Sequence, residues 1–160
     1  MNIRLQIHSV MTSWGPVVIE VKGQRVERCS LPFLKDEPQA PFKIEAVDDA
    51  CSAHYMSELF SGKEASFPQL ELPGGTLFQQ RVWKAIQSVP WGKTLSYAAL
   101  AERIGSPRAV RAVANACGKN PLPLFIPCHR IIGSNGALGG FSAGIAWKKL
   151  LLELEGISFY

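Results

Sequence analysis

SYAALAERIGSPRAVRAVANAC, residues 96–117, decides how the second half of this chain folds. Ser96 offers an oxygen to the free amides of a helix start, and Tyr97, Leu100, Ala101 and Ile104 then recur on one helical face. Gly105 is the residue type that tolerates the left-handed backbone of a turn. Ser106 and Pro107 repeat the start signal, because a proline at the first helical position gives up an N–H that has no partner there. The spacing predicts a helix-turn-helix whose second helix carries Arg108 and Arg111 among Ala109, Ala112, Ala114 and Ala116. Small side chains let a helix backbone approach a surface, and the arginines place cationic charge at the same spot. An alanine-rich core helix and a helix lying on a polyanion are both compatible with this pattern.

Upstream the helical character continues back to Thr76, which forms a capping-box pattern with Gln79 and leads into Phe78, Val82, Ile86 and Val89 on one face. Pro90-Trp91-Gly92 stops that helix. Before Gly75 the chain reads differently. Ile3, Leu5 and Ile7 alternate with polar neighbours and predict a half-buried strand. Trp14-Gly15-Pro16 reads as a turn, and residues 17–21 and 25–31 as two more strands hinged at Lys22-Gly23-Gln24, making a small antiparallel sheet. Residues 35–46, polar and proline-bearing, read as a loop. Asp48 is a candidate cap for a helix reaching about Phe60, with Cys51, Tyr55 and Leu59 on one face and Gly62 ending it. Cys51 and His54, joined by Cys29 or His8, would be a metal set, but no pair has a zinc-site spacing and no metal is expected. Residues 61–75 mix Gly, Pro and Ser with isolated apolar residues and read as a linker.

Charge divides the chain at the same place. Residues 1–75 hold 7 Lys and Arg against 10 Asp and Glu, and residues 76–160 hold 10 against 3, so the overall +4 is a sum of −3 and +7. Such a split points to two domains, the second meeting a polyanion, with a solvated basic face as the plainer reading. A length of 160 residues with 47% hydrophobic content suits one domain or two small ones. Four irregularly spaced cysteines, with no signal peptide and no long apolar run, predict a reducing, cytoplasmic setting without disulfides and without a membrane role.

Downstream lies NPLPLFIPCHR, residues 120–130, with the only adjacent Cys-His pair. Three prolines, Pro121, Pro123 and Pro127, predict a stiff extended segment, and the apolar residues 122, 124, 125 and 126 would hold it against a core with Cys128 at the end of a buried passage. A thiol with an ordinary pKa of about 8.5 is only slightly ionised near neutrality, so a reactive Cys128 needs activation. In an extended strand His129 would point to the opposite face and act only through a relay or a bridging water. The plainer reading is a core cysteine beside a surface His-Arg pair. Residues 132–140 are glycine-rich with a tight-turn signal at Asn135-Gly136, residues 141–144 form a loop, and Trp147, Leu150, Leu151 and Leu154 describe a last amphipathic helix ended by Gly156. Glu155 at its C-terminal end opposes the helix dipole: it is either tolerated at a surface or kept there to orient His129.

From Glu58 onward the chain resembles the O6-alkylguanine-DNA alkyltransferases, the methylated-DNA–protein-cysteine methyltransferases, in FQQRVW (78–83), GKTLSY (92–97), RAV (111–113), NPLPLFIPCHR (120–130) and LLELEG (151–156). The resemblance implies an α/β N-terminal domain over 1–70, a small antiparallel sheet plus helix of RNase H-like type. A mainly α-helical, winged helix-turn-helix-like DNA-binding and alkyl-acceptor domain would follow over 76–160. It implies direct damage reversal: one irreversible, stoichiometric transfer of an alkyl group from O6-alkylguanine, and from O4-alkylthymine, to Cys128 after the nucleotide is flipped out. His129 would reach Cys128 through a water and be oriented by Glu155, while Tyr97 contacts the lesion base and Asn120 ties the recognition helix to the acceptor segment. Arg111 would fill the vacated stack, with Ala109, Ala112, Ala114 and Asn115 along the minor groove. The carbonyls of Cys128 and Ile131 would meet the base, Ser142 would offer its amide to O6, and Pro123, Phe141 and Ala143 would wall the substituent, leaving room for a benzyl group.

Two departures stand out. Phe141 occupies a position that is usually tyrosine, and Ala114-Asn115 replaces a pair that commonly contains glycine. The resemblance further implies double-stranded DNA as partner, a monomer, no cofactor, a cytoplasmic and, in a bacterium, nucleoid-associated location, and no second thiol placed to act on the thioether. Three other readings compete: a non-catalytic alkyltransferase-like lesion-binding protein, a Cys-His-Glu hydrolase, and a helix-turn-helix regulator with an incidental cysteine.

Overall fold

Strands β1 (Leu5–Thr12) and β2 (Gly15–Lys22) pair from Leu5↔Lys22 to Thr12↔Gly15, so the connecting turn is Ser13-Trp14 and Pro16 already belongs to a strand. Gly15 makes the turn workable: its φ is +119°, and a β-carbon there would lie 2.7 Å from Pro32 Cβ. Strand β3 (Arg25–Ser30) extends the sheet beside β2, and β4 (Ile44–Val47) pairs with β1 on the other side, giving the order β3-β2-β1-β4. The end of the expected 35–46 loop is therefore a strand. The computed structural model describes residues 3–23, 25–38, 40–47, 50–65, 71 and 73–159; Gln24, Asp48 and the side chain of Cys51, each named in the sequence reading, lie outside this description.

One face of the sheet carries Val10, Val17, Ile19, Val26 and Cys29, all buried. Ile3, Leu5 and Ile7 occupy the other and are 58%, 50% and 60% exposed, so the half-buried strand exists but faces inward with its other residues. Alternation shows that the two faces of a strand differ, and only the packing partner decides which one is covered. That partner is helix α1 (Ala50–Phe60), which buries Tyr55, Met56 and Leu59, together with an aromatic cluster in which Phe42 stacks on Phe60 at 3.8 Å and Trp14 meets both edge-on. Each large side chain removed from water in this way contributes about 1.5–3 kcal/mol.

The second half begins with α2 (Leu77–Gln87), whose capping box has both reciprocal bonds: Gln79 N–H donates to Thr76 Oγ1 at 3.1 Å and Thr76 N–H to Gln79 Oε1 at 2.9 Å. Its apolar face buries Val82, Trp83 and Ile86, and the Trp83 indole N–H donates to Ala116 O at 2.9 Å. Helix α3 (Tyr97–Arg103) is capped by Ser96 as expected, and Gly105 takes the turn with φ +74°. Helix α4 (Val110–Gly118) starts three residues later than the sequence predicts. Residues 106–109 form a turn closed by Ala109 N–H to Ser106 O, so Arg108 lies in that turn and not on the helix. A two-strand parallel ladder, β5 (Leu95–Ser96) with β6 (Ile131–Ile132), ties the approach to α3 to the segment after Cys128.

The last helix, α5 (Ile145–Leu154), buries Ala146, Trp147, Lys148, Leu151 and Leu152, so that of the expected stripe Trp147 and Leu151 are buried and Leu150 and Leu154 only half-buried. A single cluster of buried apolar side chains runs through both halves. Polar contacts join them too: Cys29 N–H donates to Pro121 O at 2.9 Å, Tyr55 Oη to Leu124 O at 3.0 Å, and Trp147 Nε1 to Pro32 O at 2.8 Å. The N-terminal half is thus a platform under residues 120–126. Among the described residues no helix is long and apolar enough to cross a membrane.

Candidate active site

Residues 120–130 are not extended. Leu122 O accepts from Ile126 N–H at 2.8 Å, Ile126 O accepts from Cys128 N–H at 2.7 Å, and residues 128–130 form a 3-10 turn entered through Pro127. Prolines forbid a long helix but are compatible with consecutive turns, which is the outcome here. Leu124 sits at φ +78°, the only non-glycine residue with positive φ among those described, fastened by Tyr55 Oη on its carbonyl and by the Tyr55 ring stacked on Phe125 at 4.8 Å. Strain of this kind costs about 1–3 kcal/mol and persists only where the surroundings over-determine it.

Asn120 locks the turn from within. Its Oδ1 accepts from Leu122 N–H at 2.9 Å, and its Nδ2 donates to Ile126 O at 2.9 Å and to Cys128 Sγ at 3.2 Å. The side chain that aims the segment therefore also touches its sulfur. Cys128 is 4% exposed and lines a cavity of about 440 Å³ with Tyr97, Ala114, Asn115, Cys117, Phe141 and Ser142 among its walls. Burial pushes its thiol up to about 11, partly opposed by the Asn120 hydrogen bond and the charge of Lys148. Tyr97, likewise raised to about 12 by burial, keeps its O–H as a donor at any ordinary pH. Gly139 is needed beside it, since a β-carbon there would lie 2.8 Å from Tyr97 Oη at φ +69°.

Behind the turn His129 faces away from that cavity. Its Nε2 and Glu155 Oε1 are 2.6 Å apart, and Arg130 Nε donates to both oxygens of Glu155 at 3.0 and 2.9 Å. Gly92 N–H donates to Oε2 at 2.9 Å, and Arg130 reaches Val89 O and stands 5.6 Å over the Trp91 ring. Burial alone would raise the Glu155 carboxyl, yet His129, the Gly92 amide and Arg130 outweigh it and hold the group below the usual carboxylate range. Burial pushes the His129 imidazole below its ordinary value, with Glu155 opposing. His129 Nδ1 is buried with no hydrogen-bond partner among the described residues. Glu155 is thus no tolerated surface charge: it caps α5 at 7% exposure inside a charged network.

The remaining expected residues are distributed around this centre. Arg111 and Ala112 are exposed on α4, one turn before Asn115, while Ala109 precedes the helix. Pro123 and Ala143 line a second cavity, of about 400 Å³, which shares Ser142 with the first. Ile131 is buried and its carbonyl accepts from Lys148 Nζ at 2.6 Å.

Lys148 is a participant that the sequence reading missed. It is fully buried, donates also to Gly140 O at 3.3 Å, lies 5.7 Å from the Tyr97 ring centre, and is lowered to about 8 by burial. The available signal was a lysine on the apolar stripe of an amphipathic helix. Arg130 and Gly92 were inside the quoted motifs without a role. Cys117 corrects an expectation: a second thiol does line the Cys128 cavity, itself raised to about 12 by burial. No group of His, Cys, Asp and Glu among the described residues is arranged to hold a metal.

Residues 77–157 match the model of the 6-O-methylguanine DNA methyltransferase DNA-binding domain. A methylated-DNA–protein-cysteine methyltransferase of Methanosarcina barkeri is 38% identical over 145 residues, covering 88% of this chain and 90% of that protein. The constitutive Bacillus subtilis enzyme of the same name is 37% identical, covering 92% and 93%. In three dimensions the chain is similar to Mycobacterium tuberculosis OGT in complex with DNA, with a TM-score of 0.76 and 34% identity over 92% of this chain and 91% of that one. An acceptor-type cysteine held by asparagine, a His-Glu pair behind it and agreement over nearly the whole length, in sequence and in backbone, place this chain in the methylated-DNA–protein-cysteine methyltransferase family.

Proposed function

We propose that this protein repairs DNA by direct reversal, taking the alkyl group of O6-alkylguanine, and of O4-alkylthymine, onto Cys128 in one irreversible step. The observation that carries the reading is a buried thiol opening on a cavity of about 440 Å³, inside the roughly 300–1,000 Å³ range of small-molecule sites, beside an exposed Arg111 on an alanine-rich helix. A base can occupy that cavity only after leaving the duplex stack, at a cost of a few kcal/mol that is smaller for a damaged pair. Arg111 would take the vacated place: it is exposed on α4, with Ala112 and Asn115 on the same exposed side. In domain terms we read residues 1–70 as an RNase H-like unit and 76–160 as a winged helix-turn-helix, with β5, β6 and the Asn135-Gly136 turn at the wing.

The chemistry follows from the groups in place. The raised thiol pKa keeps Cys128 protonated and inert until a base removes its proton. His129, neutral through burial, accepts that proton at Nδ1 through a water while Glu155 holds Nε2 and stabilises the imidazolium. Sulfur then forms a bond to the alkyl carbon, the carbon–O6 bond breaks, and its electron pair passes to the purine. Tyr97 passes its proton to the base as this charge develops and regains one from solvent, neutral guanine leaves, and the His129 imidazolium returns the thiol's proton to solvent. A thioether remains on Cys128. Neither His129 nor Cys117 offers a route back, because a thiol does not displace the alkyl group from an unactivated thioether.

The test is mass spectrometry after incubation with O6-methylguanine duplex. A gain of one CH2 unit on the Cys128 peptide, with product equal to protein and no more, is the expected result. Multiple turnovers would make the protein a hydrolase, and binding without mass gain would make it a lesion-binding relative.

A further inference from the structure

The second cavity adjoins the first through Ser142 and is lined by Asn120, Pro123 and Ala143. Two of these residues bracket the reacting atoms, Asn120 by its bond to Cys128 Sγ and Ser142 by its place on the wall of the acceptor cavity. In a displacement the sulfur, the attacked carbon and O6 lie in line, and the other groups on that carbon splay sideways. Whatever a lesion carries beyond its first carbon leaves that line sideways, and the second cavity, which shares Ser142 with the acceptor cavity and is lined by the Asn120 that touches the sulfur, is the adjoining space open to it.

Its far side is basic. Arg28 comes from β3 and Lys119 from the end of α4, and no Asp or Glu lines the cavity. Glu20 stands opposite Arg28 in the β2–β3 register, yet neither Arg28 nor Lys119 forms an ion pair among the described residues. Both cations are exposed; Arg28 also borders a shallow hollow that Glu20 and Glu27 help to line, without an ion pair to either among the described residues. Resting on the alkyl-transfer reading above, we infer that Arg28 and Lys119 are specificity-determining residues that favour O6 substituents ending in a carboxylate, so that carboxyalkyl lesions are a preferred substrate class. A cation pair at a partly exposed site selects modestly, by about fivefold, and through ionic strength.

The test uses the full chain and two free bases that carry no phosphate, O6-(4-carboxybenzyl)guanine and its uncharged isostere O6-(4-carbamoylbenzyl)guanine, read as single-turnover alkylation of Cys128. Expected is a carboxylate-to-carboxamide rate ratio of about five that falls towards one in R28Q/K119Q and in about 1 M salt, where screening acts within about 3 Å. Arg28→Lys should keep most of the ratio, and Arg28→Glu should reverse it. A wild-type ratio of one or less, or a ratio that R28Q/K119Q leaves unchanged, overturns the inference and leaves both cations to the DNA backbone. The underlying reading fails separately: in that case O6-methylguanine duplex puts no methyl on Cys128.

Discussion

The two sides of the 128–130 turn are built to opposite rules. On one side Cys128 faces an open cavity with the Asn120 amide as the side-chain donor at its sulfur and Tyr97 on the cavity wall. On the other, Glu155 receives Gly92, His129 and Arg130, so that both carboxylate oxygens are satisfied. An unsatisfied site is where a substrate supplies the missing contacts, and a satisfied one holds a geometry and a protonation state. The orphan among the described residues is His129 Nδ1, the atom through which the proposed mechanism lets the closed side act on the open side.

The contrast breaks most decisively at the nucleophile. Cys128→Ala is expected to abolish alkyl transfer altogether while leaving lesion binding intact, checked by mass spectrometry against a gel-shift titration. If methyl still arrives on the protein, Cys117 is the acceptor and the open side has been misassigned.

Next in size is the closed side. Glu155→Gln keeps shape but weakens the hold on His129, and the transfer rate should fall about a hundredfold, the scale of a lost general base. Glu155→Ala should in addition cost about 3–5 kcal/mol in urea unfolding, since it strands buried partners. Unchanged kinetics in Glu155→Gln would reduce the network to a structural clamp.

pH separates the two sides without mutation. If proton removal runs through His129, whose pKa lies below its ordinary value, the rate should rise with pH only through that low range and be flat near pH 7–8. Ionisation of Cys128 on its own would instead raise the rate tenfold per pH unit up to about 11. Stability has its own sign. Glu155, depressed in the fold, contributes stability above its unfolded pKa that is lost as pH falls through the folded one. His129, also depressed, adds to the loss below its unfolded value of about 6.5. Acid should therefore unfold the protein from the closed side, seen as a falling urea midpoint.

Asn120→Ala joins the comparison in the middle, because it frees the sulfur, takes one of two donors from Ile126 O and strands Leu122 N–H; about 1–3 kcal/mol of stability should go with it. Smallest is Arg111→Ala, outside both sides. It should weaken duplex lesion binding and lower the salt slope by about one, while alkylation by a free benzylated base is unaltered. Equal losses on both substrates would give Arg111 a role in the fold.

Much of this organisation is local and therefore legible in order along the chain. The Thr76 capping box, the Ser96 cap, the Gly105 turn and the Asn135-Gly136 turn depend on neighbours within a few residues, and the charge division at residue 75 is a matter of composition. What depended on distant partners was not legible. Alternation at Ile3, Leu5 and Ile7 could not say which face α1 would cover. The prolines of 120–130 restricted the backbone without choosing between an extended segment and linked turns, a choice made by Asn120 and Tyr55. Ser106-Pro107 carries a start signal that the chain uses for a turn instead, shifting Arg108 off the helix. The grouping of Cys128 with His129 and Glu155 came from the resemblance to a known family, since the residues alone left a core cysteine and a tolerated surface carboxylate as the plainer readings; the fold puts Glu155 Oε1 2.6 Å from His129 Nε2. The sharing of one cavity by Cys117 and Cys128, and of another by Arg28 and Lys119, belongs to the tertiary structure alone, because each brings together groups whose separation in sequence gives no local signal; Lys148 left only the hint of a lysine on an apolar stripe, and its partners Ile131 O and Gly140 O were set by the fold.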